Sequence, residues 1–205
     1  MSDGDGRALE LQSTGSPDTE QALRAYLMAK DHNRPIFMPQ AFAADAVLTT
    51  VVKTDAIDFP PTCRGLLAIT DTLVTNFGRT YEDVFTFYCS RPPTGQLLPH
   101  FSCIWLVGMR EKSTGDVRVG CGTYNWDFAV SELSASRRGC KATGLVIAVE
   151  EMVTLPPDTT PAIFRWLMGL PYPFCEAKHA LAYMPSCELL SPVVAFLGRH
   201  KQSRL

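Results

Sequence analysis

The chain has no long apolar run, no clustered cysteines and no marked excess of charge. Nothing in it approaches the ~18 apolar residues of a membrane span, and the opening Met1-Ser2-Asp3-Gly4-Asp5-Gly6 carries no apolar signal region. The expectation is a soluble cytoplasmic protein without a membrane partner. With 19 basic residues against 21 acidic ones, no polycationic surface is expected, and nucleic acid is not an expected partner. Seven cysteines (Cys63, Cys89, Cys103, Cys121, Cys140, Cys175 and Cys187) form no C-x-x-C pair. Their scatter fits reduced thiols rather than a disulfide framework or a zinc site, so no metal is expected. Cys89, Cys103 and Cys121 lie in apolar strand-like runs, where cysteine acts as a small hydrophobe. No glycine-rich phosphate loop stands between a strand and a helix, and no cofactor is expected. Gly120-Cys121-Gly122 falls inside a strand-like run and reads as a bend or bulge.

What is present is a change of period partway along. Residues 1 to 16 read as a flexible leader. Asp18, with Gln21 three residues on, marks a helix start, and Ala22, Leu23, Tyr26, Leu27 and Ala29 form its apolar stripe. Pro35 opens a second short helix with Phe37, Ala41 and Phe42 on its buried side. A third runs from about Gly65 to Phe77 and stops at Gly78. β-formers fill Val47 to Lys53, and after Gly78 they dominate Val84 to Cys89, Phe101 to Met109, Val117 to Val130 and Thr143 to Leu155. The connections Pro92 to Gly95, Ser113 to Asp116 and Ser134 to Lys141 carry turn chemistry. Helices followed by an antiparallel meander make an α+β layer and exclude a βαβ wrap. After Pro156-Pro157 the texture changes. Pro161 to Gly169, Glu176 to Tyr183 and Pro192 to Arg199 read as short helices of an apolar extension, packed on the domain or on a partner subunit.

These residues resemble the nuclear transport factor two-like superfamily, and within it the SnoaL-like and ketosteroid-isomerase-type proteins. The resemblance is carried by Ala25-Tyr26-Leu27-x-Ala29 on the first helix and by Ala41-Phe42-Ala43-Ala44-Asp45-Ala46-Val47 entering the first strand. Arg64-Gly65 before the third helix and the meander after it complete the pattern over about residues 20 to 155. It implies a cone-shaped α+β barrel, with three N-terminal helices on a strongly curved antiparallel sheet around a pocket for a small apolar molecule. The activities it implies are cofactor-independent isomerases, lyases or cyclases, alongside non-catalytic dimeric ligand-binding or scaffold domains of the same fold. By resemblance Tyr26 matches an oxyanion-hole tyrosine. The position of the isomerase base, however, falls at about Thr50, which has no carboxylate to titrate.

Other groups are candidates for the proton-transfer role. Alternation along Thr123 to Phe128 puts Tyr124, Trp126 and Phe128 on one face of a strand and Thr123, Asn125 and Asp127 on the other. If the polar face lines the pocket, Asp127 is a desolvated general base with Asn125 beside it. The alternative has the aromatic face against the helices and Asp127 paired on the outer surface. His100, opening a strand, is either a proton relay or a partly exposed edge residue. Tyr26, Tyr124, Trp126, Trp105 and Phe42 are core residues that also serve as candidate ligand walls. Asp31, beside His32 at the end of the first helix, is a candidate at the pocket mouth, or a cap. Glu150 and Glu151 cannot both face inward. The long strands expose a second face with large apolar residues, which predicts a homodimer. Ser203-Arg204-Leu205 resembles a peroxisomal import signal, relevant only for a eukaryotic source.

Overall fold

The computed structural model describes residues 18–134 and 137–200, the side chains of 131–138 excepted. The leader and the terminal tripeptide therefore lie outside the described residues. Helix α1 (Thr19–Asp31) starts where the sequence places it, with the Asp18 carboxylate accepting from the Gln21 N–H at 2.8 Å. Its apolar stripe buries Leu23, Tyr26 and Leu27 almost completely. A turn of 3₁₀ helix (Pro35–Phe37) and one turn of α2 (Met38–Ala41) lead into β1 (Phe42–Val52). After β2 (Thr62–Arg64), helix α3 (Leu66–Thr70) widens into a π-helical stretch (Asp71–Asn76) and closes as α4 (Phe77–Thr80).

The remaining strands are β3 (Tyr81–Tyr88), β4 (His100–Glu111), β5 (Val117–Ser134) and β6 (Arg137–Leu155). Together with β1 and β2 they make one six-stranded sheet in the order β2-β1-β6-β5-β4-β3. The meander from β3 to β6 is antiparallel as expected, but the sheet as a whole is mixed. β1 lies parallel to β6, with Leu48 opposite Leu145 and Thr50 opposite Ile147. Such pairing needs a long connection, and here everything from β2 to β5 intervenes.

A bulge at the centre of the sheet decides what faces where. Cys121 pairs with Glu151 and Gly122 with Val149, so Glu150 has no partner across the ladder. The glycine is required, because a Cβ on Gly122 would stand 1.9 Å from the Ala148 carbonyl oxygen. The extra residue reverses the alternation of β6. Leu145, Ile147 and Val149 face the helices, and beyond the bulge so does Met152, while Val153 and Leu155 point the other way. Glu150 pairs with Lys53 at 2.8 Å on the surface.

Each face of the sheet has its own core. The front face packs against α1, α2 and α3 through Tyr26, Phe42, Leu48, Ile69, Trp105, Tyr124 and Trp126. The back face is covered by α5 (Thr160–Met168), α6 (Ala177–Ala182) and α7 (Ser191–Arg199), which bury Phe87, Leu106, Val119, Leu167 and Phe196. Between α5 and α6 the chain pairs with edge strand β3: the Tyr88 N–H donates to the Pro173 carbonyl and the Cys175 N–H to the Tyr88 carbonyl, at 2.8 and 2.9 Å. The extension thus packs on its own sheet and occupies much of the face that the sequence reading offered to a second copy. No helix among the described residues is long and apolar enough to cross a membrane.

Candidate ligand pocket

The front-face core is not fully closed. A pocket opens between α1, α4, the loop after β1 and the middle of the sheet. Tyr26 and Lys30 come from α1, Phe77 from α4, and Ile57 and Phe59 from the loop. Trp105, Val107 and Met109 line it from β4, Tyr124 from β5, and Ile147, Val149 and Met152 from β6. Counting its open mouth, the walls enclose about 380 Å³. Most of that space belongs to the mouth, so a ligand here is small and lies partly in the opening.

The polar groups of this lining are few, and each carries a donor hydrogen. Tyr26 is fully buried, yet its hydroxyl has no hydrogen-bond partner. Tyr124 stands beside it, close enough to affect its acidity but outside hydrogen-bonding geometry, with ring centroids 6.2 Å apart. Burial pushes both phenols up, so each keeps its proton and acts as a donor. The indole N–H of Trp105, 3% exposed, is likewise unpartnered. Lys30 completes the set. Its ammonium donates to Thr86 Oγ1 at 2.8 Å and Asp31 Oδ1 at 3.2 Å, and lies 4.6 Å from the centre of the Phe77 ring. No carboxylate and no imidazole is among the residues that line the pocket.

Asp31 stands next to Lys30 but turns away from the opening. Its carboxylate accepts from the Thr86 N–H and hydroxyl, both at 2.8 Å, and from the Tyr172 hydroxyl at 3.1 Å, in addition to Lys30. Four donors leave it little capacity for a ligand, and they tie the end of α1 to edge strand β3 and to the C-terminal extension. Thr50, where the isomerase resemblance places a base, donates to the Pro60 carbonyl at 2.6 Å. It anchors the loop that carries Ile57 and Phe59 into the lining.

The sequence-predicted site residues fall into separate groups. Tyr26, Tyr124 and Trp105 meet at the pocket. Trp126 and Phe42 pack against Tyr26, at 5.3 and 5.9 Å between centroids, one layer behind the lining. Asp127, His100 and Asn125 are on the other side of the sheet. The register sets His100 opposite Asp127 and Ser102 opposite Asn125, with all four side chains on the back face beyond the reach of the C-terminal helices. His100 Nδ1 and Asp127 Oδ1 are 2.5 Å apart, on side chains 76% and 60% exposed. The structure does not bring them to the pocket. Of the two readings of β5, the aromatic face is the one that meets the helices. Among the described residues no cluster of histidine, cysteine and carboxylate is placed to hold a metal ion. The thiols of Cys103 and Cys121 are buried, which pushes both up, that of Cys121 to about 12.

No family model matches the chain, and no curated protein matches it. Solved structures do. A nuclear transport factor 2-like superfamily protein from Salmonella enterica superposes with a TM-score of 0.51 at 14% identity, over 64% of this chain and 88% of its own. The fold is nuclear transport factor 2-like. A hexachlorocyclohexane dehydrochlorinase from Novosphingobium barchaimii (TM-score 0.48, 14% identity, 65% of this chain and 85% of its own) matches more loosely. So does a ketosteroid isomerase-like protein from Erwinia carotovora (0.46, 15%, 65% and 94%). At such identities the nuclear transport factor 2-like fold is what the likeness establishes, and its chemistry has to be read from the site.

Lys30 was not singled out from the sequence, although a signal existed. It lies four residues after Tyr26 and so shares that residue's helix face. Met152 was concealed by the bulge, and Ile57 and Phe59 by the loop.

Proposed function

We propose that this protein binds a small, mostly apolar molecule in the front-face pocket, with Tyr26, Lys30, Trp105 and Tyr124 supplying the polar contacts. The observation that supports this reading is the combination of an open apolar pocket with buried hydrogen-bond donors that have no protein partner. Such donors cost free energy when left unpaired, and a ligand acceptor removes that cost. Binding is favoured over general acid–base catalysis by Asp127 and His100, because both groups stand in solvent across the sheet. The test is a thermal-shift and calorimetric screen of one- and two-ring compounds, repeated on Val149→Phe, which fills the pocket. A ligand at 100 times its Kd raises stability by about 2.7 kcal/mol. Hits that disappear in Val149→Phe support the reading, and hits unaffected by that change would sink it.

A cofactor-independent isomerase, lyase or cyclase is a second reading, favoured by one observation. Lys30 is a proton-bearing group on the pocket wall, held beside a buried carboxylate. In that reading Lys30, rather than Asp127, handles the proton. Turnover of a pocket ligand that is lost in Lys30→Met but kept in Asp127→Asn would favour catalysis.

A further inference from the structure

We infer that the ligand of this pocket is a small, mostly apolar molecule bearing an anionic oxygen group, a carboxylate in the first instance, held by Lys30 together with the hydroxyl of Tyr26 and the indole N–H of Trp105. The inference rests on the pocket reading above and adds the chemical class of the occupant.

The first argument is the sign of the lining. Each polar side chain on the pocket wall is a donor, and the one formal charge among the lining residues is the Lys30 ammonium. No carboxylate and no imidazole is among them, so a cationic ligand would find no oppositely charged partner in this set. The second argument is the state of Asp31. Its charge is met by a backbone N–H, two hydroxyls and Lys30, and Lys30 is the longest of those four contacts at 3.2 Å. Asp31 therefore does not depend on Lys30 alone, and one ammonium N–H remains after the bonds to Asp31 and Thr86. The third argument is the orphaned donors. Tyr26 is 0% and Trp105 3% exposed, both line the cavity, and neither Tyr26 Oη nor Trp105 Nε1 has a partner. A carboxylate has two oxygens and roughly four lone-pair sites, acceptor capacity enough for an ammonium and two neutral donors. The remaining walls, among them Ile147, Val149 and the ring of Phe77, suit the hydrocarbon part.

The test compares matched acids and neutral analogues on the full chain. Benzoate and phenylacetate are titrated calorimetrically against benzamide, phenylacetamide and acetophenone, with Lys30→Met, Lys30→Gln and Val149→Phe alongside. The acid is expected to bind on the order of tenfold more tightly than its amide, the worth of one hydrogen bond to a charged group. Lys30→Met and Lys30→Gln are expected to abolish that preference, the acid losing on the order of tenfold more affinity than the amide. A wild-type protein that binds ketone or amide as well as acid overturns the inference and leaves the pocket reading standing, since Val149→Phe still removes binding. Acid binding that survives Val149→Phe places the anion elsewhere and overturns both. The wild-type comparison needs no variant, so poor folding of a Lys30 substitution does not blunt it.

Discussion

The two faces of this sheet carry the same kinds of side chain and treat them oppositely. On the back face, the indole N–H of Trp166 donates to the Ala180 carbonyl at 3.0 Å, and α5 to α7 seal an aliphatic core around Leu106 and Leu167. On the front face, Trp105 and Tyr26 are just as buried, yet neither Trp105 Nε1 nor Tyr26 Oη has a hydrogen-bond partner, and both residues line the pocket. A buried donor without a partner costs about 1 to 3 kcal/mol. A chain able to satisfy Trp166 in its back core leaves at least two donors without partners among the pocket-lining residues of its front core. One face is therefore built for stability, and the other holds a cost that a ligand can relieve. Asp31 joins the two, since it contacts pocket-lining Lys30 on one side and Tyr172 of the extension on the other.

That joint offers the largest break. Asp31→Ala removes one partner of a buried ion pair, leaving Lys30 without its carboxylate and the Thr86 N–H without an acceptor. The expected loss is about 3 to 5 kcal/mol by denaturant titration, with ligand binding impaired as well. Leu167→Ala tests the back face alone. Leu167 is fully buried and lies against Gly108, where an added Cβ would come within 2.2 Å of its Cδ1. The truncation is expected to cost about 2 to 5 kcal/mol while ligand affinity, measured well below the melting temperature, is unchanged. A fall in affinity comparable to that of Asp31→Ala would mean that the faces are coupled through the sheet and not only at Asp31.

Tyr26→Phe makes the contrast sharper because its two effects have opposite signs. Deleting a hydroxyl that has no partner relieves an unmet donor, so stability should hold or rise by about 1 kcal/mol. Affinity for an oxygen-bearing ligand should fall by about fivefold or more, the worth of one neutral hydrogen bond. Loss of stability without loss of affinity would place that hydroxyl in the structural core and remove it from the site.

How far the sequence foretold this arrangement depends on the scale of the feature. Local signals carried well: Asp18 caps α1, the stripe through Tyr26 faces the sheet, and Gly120-Cys121-Gly122 marks the bulge. These depend on a few adjacent residues and on steric rules that act at short range. Which face of β5 would meet the helices was not decidable locally, because alternation gives two sets and no direction. Nor was the parallel pairing of β1 with β6, which depends on where chain segments far apart in sequence come to rest. The pocket suffered most. Met152 reaches it because Glu150 is bulged out of the ladder, and Phe59 because the Thr50 hydroxyl holds the loop at Pro60. Thr50 thus takes a structural role at the position where the resemblance anticipates a base.

The smallest expected effect is also the one that separates the two faces most cleanly. His100 and Asp127 pair with Nδ1 and Oδ1 2.5 Å apart, and Asn125 and Ser102 pair next to them at 2.8 Å. Their register across β4 and β5 fixes them on the back face, with Tyr124 and Trp126 between them and the helices. With both side chains more than half exposed, solvent screens the pair, and exposed pairs of this kind contribute about 0 to 1 kcal/mol. Asp127→Asn and His100→Ala are therefore each expected to shift stability by about 0.5 kcal/mol or less. Neither should change the affinity for any ligand that Val149→Phe excludes. The measurement is a parallel titration of both variants with the best ligand from the screen. A severalfold loss in either variant would show that chemistry on the back face reaches the pocket, and the division of labour between the faces would fail.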